Sequence, residues 1–376
     1  MSKKTEEAAQ AIEAAAEEEP KKEFIKPEDL LSTGSTLLNL ACADNPHGGL
    51  PKGKYSLLVG DSAAGKTFLS MTCFAEACIN PNFQDHRLIY DNAEDGCMID
   101  IERFFGKAVA DKIEPPGEDK EGASYSETIE DFYYNIDNAI KEEEPFIYVL
   151  DSMDSLSSEY EGKKFDQGKK AADKTVSEDD NAEETKVKGS YGDGKAKQNS
   201  TNIRRLLAPL RKSGSILLIL CQTRDNYTGY GGKVRSGGHA LRFYATLEIW
   251  FSIKEEIKKG VKGAQRLVGT LSSIRVKKNR ITGKKREPIL LPIFPSYGID
   301  DVSSCVEYLI KEKCWTKQGK VFVPKGMGEV IKPGTKEKLV KDIETLGKET
   351  KLRRLVGNRW KEIDEACAVK DRKSRY

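Results

Sequence analysis

Short, uninterrupted apolar runs recur along the chain at residues 55–59, 87–90, 146–150, 215–221 and 288–294. Runs of this length and continuity predict strands buried on both faces, as in a parallel sheet between layers of helices. Stretches with helical spacing lie between them. Residues 68–77 follow the first strand, and Ile203, Leu206, Leu207 and Leu210 mark the buried stripe of a basic helix over 201–212 that also carries Arg204 and Arg205. Ser32-Thr33-Gly34-Ser35 is a turn and cap signal before a helix over 36–43. Further strands are predicted over 240–251 and 267–276. From Asp301 the chain turns helical and charged, with Trp315 and Trp360 as anchors of a small unit. The expected fold is α/β with a mostly parallel central sheet.

Two polar stretches break this pattern. Residues 1–22 are rich in Ala, Glu and Lys, with Ile12 as the one large apolar residue, and read as a mobile or partner-dependent helical arm. Phe24 and Ile25 follow it, suited either to docking on a neighbouring subunit or to local packing. Residues 159–190 mix Glu, Asp, Lys, Gly and Ala with few apolar residues and predict a long solvated loop. The tail 370–376 is basic and reads as frayed. The expected organisation is an arm at 1–30, a core at 31–300 and a small C-terminal α/β domain at 301–376.

Composition narrows the class. Of 376 residues 38% are hydrophobic, enough for a core, while 32% are charged and the net charge is only +2. A nucleic-acid surface must then be local. No apolar run approaches membrane-span length and the N-terminus lacks a signal-peptide core, so a cytoplasmic protein with no membrane partner is expected. The eight cysteines show no C-x-x-C spacing, which argues for reduced thiols and against structural zinc.

The candidate chemistry sits where the predicted strands end. The first runs into Gly60-Asp61-Ser62-Ala63-Ala64-Gly65-Lys66-Thr67 and then a helix. In this G-x-x-x-x-G-K-T spacing the glycines let the backbone approach a polyphosphate, Lys66 reaches its β- and γ-oxygens, and Thr67 offers a hydroxyl to Mg²⁺. Asp151 ends the strand over 146–150, the position of a second Mg²⁺ ligand. Asp91-Asn92-Ala93-Glu94 follows the strand over 87–90. Glu94 is the candidate for orienting an attacking water, with Asp91 as the alternative. Gln222 ends the strand over 215–221, placed to sense a γ-phosphate. Beyond it Arg224, Tyr227, Tyr230, Lys233, Arg235, Gly237 and Gly238 combine cations, aromatic faces and glycine freedom, which suits single-stranded nucleic acid. A cationic run, residues 275–280, closes a later strand.

Taken in order, these segments resemble the core of bacterial RecA-type recombinases over roughly residues 30–315. The likeness adds Gly237-Gly238-His239-Ala240-Leu241-Arg242-Phe243-Tyr244-Ala245, Val276-Lys277-Lys278-Asn279-Arg280-Ile281 and Tyr297-Gly298-Ile299-Asp300. The resemblance implies a RecA-like phosphate-loop ATPase that forms a helical filament on single-stranded DNA, with ATP and Mg²⁺ held between subunits. It implies homologous pairing with double-stranded DNA and DNA-stimulated hydrolysis. It casts Lys66 and Thr67 as phosphate and Mg²⁺ ligands, Glu94 as the catalytic carboxylate, and Asp151 as the Walker B acid. Gln222 becomes the sensor coupled to a second DNA-binding loop at 223–238, and the residues around Gly192 and Gly194 match the end of a first one. Lys278 and Arg280 resemble cations that reach a neighbour's ATP, and Phe243 falls at a subunit contact. Single-strand-binding and mediator proteins are further candidate partners. The sequence departs from the family in an acidic motif one residue longer, in Arg280 where lysine is usual, and in the long loop at 159–190, which suggests a distant or phage-encoded relative. A hexameric helicase or motor, and a nucleotide-gated DNA-binding accessory factor, are the alternatives. No dedicated helicase or nuclease domain is evident, and the intact acidic and basic residues of the nucleotide motifs argue against the second.

Overall fold

The computed structural model describes residues 25–97, 99–120, 122–159, 161–162, 193–225, 233–235 and 238–369. Residues 1–24 of the expected arm, nearly all of the loop at 159–190, Gly192, Tyr227, Tyr230, Gly237 and the basic tail lie outside the described residues.

The principal strands are β1 (Tyr55–Gly60), β2 (Arg87–Asp91), β3 (Ile113–Glu114), β4 (Phe146–Leu150), β5 (Ile216–Asp225), β6 (Lys233–Arg235), β7 (Leu247–Val261), β8 (Ala264–Asn279), β9 (Ile289–Phe294) and β10 (Gly298–Ile299). The helices that matter here are α1 (Thr36–Ala43), α2 (Lys66–Ile79), α3 (Ile129–Lys141), α4 (Asp193–Ser213), α5 (Gly238–Tyr244), α6 (Asp301–Lys311), α7 (Lys336–Thr345) and α8 (Glu349–Cys367). Nine strands run in the order β10-β9-β8-β7-β1-β5-β4-β2-β3, and β6 pairs with β5 beyond this path. The ladders from β7 through β1, β5, β4 and β2 to β3 are parallel. Those joining β7 to β8, β8 to β9 and β9 to β10 are antiparallel. The molecule is thus an α/β protein with a large, mostly parallel central sheet.

The unbroken apolar runs are explained by cover on both faces. Leu58, Ile147, Val149, Leu218 and Leu220 face a core shared with Leu69, Cys73 and Phe74 of α2 and with α1. Leu57, Val59, Tyr148, Leu150, Leu217 and Ile219 face a second core with Ile129, Phe132 and Ile136 of α3 and Ile203, Leu206 and Leu210 of α4. Trp315, Leu339, Ile343, Leu352 and Val356, all beyond residue 300, join the first core.

Three local expectations need correction. The run over 240–244 is helical, not strand: Leu241 and Ala245, just past the helix end, are both buried, and β7 starts at Leu247. A short apolar run does not separate the two states by periodicity alone. The basic helix begins at Asp193, eight residues before its expected start. The segment 223–238 is not a loop throughout, because β6 folds back on β5 with Lys233 opposite Asp225 and Arg235 opposite Thr223. Helix α3 had no counterpart in the expectations, although Thr128 and Asp131 form a capping box, a pattern readable from sequence.

Candidate active site

Register brings the candidate residues to one edge of the sheet. Gly60 lies opposite Gln222, and Asp91 opposite Leu150, so the carboxyl ends of β1, β5, β4 and β2 form one rim. The phosphate loop leaves that rim and opens α2. Gly60 has no room for a side chain, because a Cβ there would meet the Phe251 carbonyl. Gly65 has φ +94° and its Cβ would collide with Ile293. Among the described residues, the amides of Ser62, Ala63 and Gly65 donate to no protein group. Together with the N-terminus of α2 they make a cradle for an anion. Lys66 is 8% exposed and turns back on its own loop, donating to the carbonyls of Gly60 at 2.9 Å and Asp61 at 2.8 Å. Burial lowers its pKa, against the pull of Asp151, Glu94, Asp154 and Asp61.

Thr67 donates its hydroxyl to Asp151 Oδ2 at 2.6 Å, and Tyr90 donates to the same oxygen at 3.1 Å. Burial pushes the Asp151 carboxyl up, opposed by the Thr67 hydrogen bond. A hydroxyl and a carboxylate are the hard oxygen donors that suit Mg²⁺ with a triphosphate. Among the described residues, no group of three or more His, Cys, Asp or Glu side chains forms a metal site by itself.

Strand alternation separates the two acidic candidates. Ile89 lies in the core under α3, and Asp91, two residues on, is fully buried on that same face. It accepts from Ser126 N at 2.9 Å, Ser126 Oγ at 2.6 Å and Tyr148 OH at 2.6 Å. Burial raises its pKa against these donors. Glu94 is exposed past the strand end, where it accepts from Gln222 Nε2 at 2.9 Å and from the Ser152 hydroxyl. Gln222 is itself held through its backbone amide, which donates to Asp154 Oδ2 at 2.6 Å.

The nucleic-acid candidates divide. Arg224 lies 3.7 Å from Asp154 and Lys233 pairs with Asp61 of the phosphate loop, which also accepts from the Thr223 hydroxyl. Burial acts to raise the Asp61 carboxyl, but these two donors hold it below the usual range. Gly238 opens α5, and Arg235 contributes to β6.

Lys278 and Arg280 are not at this rim. Lys278 pairs with Glu248, which pairs with Leu57, three residues before Gly60 in β1. That is about 10 Å below Gly60 along the strand and two strands across. Lys278 donates to the carbonyls of Phe243, at 2.8 Å, and Arg242. Burial, and then the neighbouring Arg280, lower its pKa to about 8. Arg280 lies over the ring of Phe243, which is 62% exposed. Asn279 fixes this corner, since its amide donates to the carbonyls of Ala41 and Cys42 at 3.1 and 2.9 Å and accepts from the amides of Ile281 and Thr282. Sequence reasoning missed Tyr90, Ser152, Asp154, Ser126 and Asn279 as positioning residues. Ser152 and Asp154 could have been flagged by their place just after the Asp151 strand end.

A parallel sheet whose carboxyl rim carries a phosphate loop, a Thr–Asp pair and a Glu–Gln pair defines an α/β protein of the phosphate-loop type. No family model matches the chain. Protein RecA of Chlorobaculum tepidum is 25% identical over 331 residues, 84% of this chain and 80% of the relative. Protein RecA of Cytophaga hutchinsonii is 25% identical over 312 residues, 81% of this chain and 75% of the relative. DNA repair protein recA homolog 3, mitochondrial, of Arabidopsis thaliana is 24% identical over 302 residues, 78% of this chain and 60% of the relative. These likenesses support a RecA-family relationship and a RecA-like core. Among the described residues, no helix is long and apolar enough to cross a membrane.

Proposed function

We propose that this chain is an ATP-dependent homologous recombinase, a divergent member of the RecA family. It would form a helical filament on single-stranded DNA, pair it with homologous double-stranded DNA and exchange strands, with hydrolysis stimulated by DNA. The supporting observation is the rim where Lys66, Thr67, Asp151, Glu94 and Gln222 converge. It is joined by direct contacts to the segment that carries Arg224 and Lys233. The relatives' names, which include RecA and a DNA repair protein, support the same reading.

In this reading Ser62, Ala63, Ala64, Gly65 and Lys66 hold the phosphates, and Thr67 and Asp151 hold Mg²⁺. ATP supplies the transferable phosphoryl group. Glu94 orients the attacking water and Gln222 links the phosphate end of the site to the hairpin of β5 and β6. The partners are DNA, further copies of the chain, and single-strand-binding and mediator proteins, in the cytoplasm. The arm at 1–30 and the unit at 301–376 serve assembly around the core at 31–300.

Electron microscopy with single-stranded DNA and a non-hydrolysable ATP analogue tests the proposal. Helical filaments are expected, and closed rings or an absence of DNA binding would overturn it. A second measurement tests the carboxylate assignment. Glu94→Gln is expected to lower ATP turnover by about 10²–10⁴-fold with the thermal melt unchanged. Asp91→Ala leaves buried donors unpaired and is expected to cost about 1–3 kcal/mol of stability. The opposite pattern, a stability loss at Glu94 and a purely catalytic loss at Asp91, would exchange their roles.

A further inference from the structure

The phosphate loop carries one charged side chain that works against its own ligand. Between Gly60 and Lys66 the loop reads Asp61-Ser62-Ala63-Ala64-Gly65, with Asp61 as its acid. A carboxylate beside a cradle for phosphates opposes the anion that the cradle attracts. The Asp61 carboxylate is already engaged. Among the described residues, both donors to it come from the β5–β6 hairpin: the Thr223 hydroxyl reaches Oδ1 and the Lys233 ammonium reaches Oδ2. The side chains of Asp61 and Lys233 are 32% and 51% exposed, so this is a half-open pair and within reach of a competing anion.

A second cation of the hairpin is drawn the same way. Arg224 lies 3.7 Å from Asp154 Oδ1, while the other oxygen of that carboxylate accepts from the Gln222 amide. Arg224 and Lys233, two of the cations expected to meet nucleic acid, thus both face acids beside the nucleotide rim. The two acids are not equivalent. Asp154 also braces the backbone of Gln222, whereas the Asp61 carboxylate meets side chains of the hairpin. Asp61 also sits immediately before Ser62 and Ala63, whose amides form part of the anion cradle. An anion seated there brings a like charge up to Asp61. It also draws Lys66, whose ammonium now donates to the Asp61 carbonyl at 2.8 Å, towards itself. Both changes loosen the loop around Asp61. Strand β6 is three residues long, so few ladder bonds hold Lys233 in place once the acid lets go.

We propose that Asp61 is an autoinhibitory residue: it occupies Lys233 in place of a DNA phosphate, and a polyphosphate seated in the loop weakens its hold. Carboxylate and phosphate offer an ammonium the same kind of charged oxygen, so the two compete for one Lys233. The threshold for binding is then set within the chain, because DNA must displace an acid before it gains the cation. The inference rests on the recombinase reading, in which Lys233 meets single-stranded DNA.

The test uses the full chain and a labelled oligothymidine strand. Binding is followed by fluorescence anisotropy at fixed salt, with and without a non-hydrolysable ATP analogue. Asp61→Asn keeps the shape of the side chain and an acceptor for Thr223 but removes the charge. Without nucleotide it should bind the strand about two- to fivefold more tightly than the wild type, the scale of a half-exposed ion pair. With the analogue present the gap between the two proteins should close. In a Lys233→Met background Asp61→Asn should bring no gain, since the double-mutant cycle isolates what passes between the two side chains. Damage to the fold would lower affinity, so it cannot imitate the expected gain. A gain that survives in Lys233→Met would be a general effect of net charge and would overturn the inference. So would an unchanged affinity in Asp61→Asn, or a gap of one size with and without the analogue. A wild type that binds no single-stranded DNA under either condition would instead refute the recombinase reading, and the inference with it.

Discussion

Lys66→Ala is expected to lower ATP turnover by at least about a hundredfold, the scale seen when one positioned donor to developing charge is removed. Lys66 is buried among Asp151, Glu94, Asp154 and Asp61, and each favours its charged form. Without its ammonium these acids would repel the phosphates that the loop amides attract. Its two present acceptors, the carbonyls of Gly60 and Asp61, belong to the loop itself, so the side chain needs to swing by little to meet a ligand. Turnover is read as phosphate release with single-stranded DNA present, beside a thermal melt that shows the fold intact. Wild-type turnover in the variant would remove the loop from the chemistry.

A comparable loss is expected from replacing Lys278 and Arg280 together by alanine, and it should be recoverable by mixing. The two cations lie at the end of the sheet opposite their own phosphate loop, beside the exposed Phe243. In the proposed filament they would serve a loop on another copy. A cation supplied in trans to a phosphoryl group is worth about 10³–10⁵ in rate in well-studied cases. The double variant and Lys66→Ala should each be inactive alone. Mixed filaments should recover hydrolysis at interfaces where one subunit offers Lys66 and its neighbour offers both cations. Filaments shown to be mixed yet inactive would count against action in trans, and full activity in the double variant would end the idea.

The sequence made the strands legible because burial on both faces leaves an unbroken apolar run, as at 146–150. The phosphate loop was legible because its spacing encodes a turn that only glycine permits. The acidic pair stayed open in sequence, since Asp91 and Glu94 both follow one strand. Separating them required knowing which face α2 covers and which α3 covers. The supporting residues were hidden for a related reason: Ser126 reaches Asp91 across 35 positions and Asn279 reaches Ala41 across 238. Hydrogen bonds over such separations leave no periodic trace. The helix at Gly238–Tyr244 was misread because Ala240, Leu241, Phe243 and Tyr244, broken only by Arg242, satisfy either period.

The sheet ends in strands of two residues on both sides, Ile113–Glu114 at one margin and Gly298–Ile299 at the other. So short a margin offers almost no row of free backbone groups for another strand to zip onto. The longer open edge, where β7 continues past β1, is studded with lysines that repel a like copy. Copies of this chain are therefore steered away from joining by continuous main-chain ladders, the route that leads to irreversible fibres. Along these margins of the described sheet, a contact between copies would run through side chains, where salt, charge state and single substitutions set its strength, and where it can be undone.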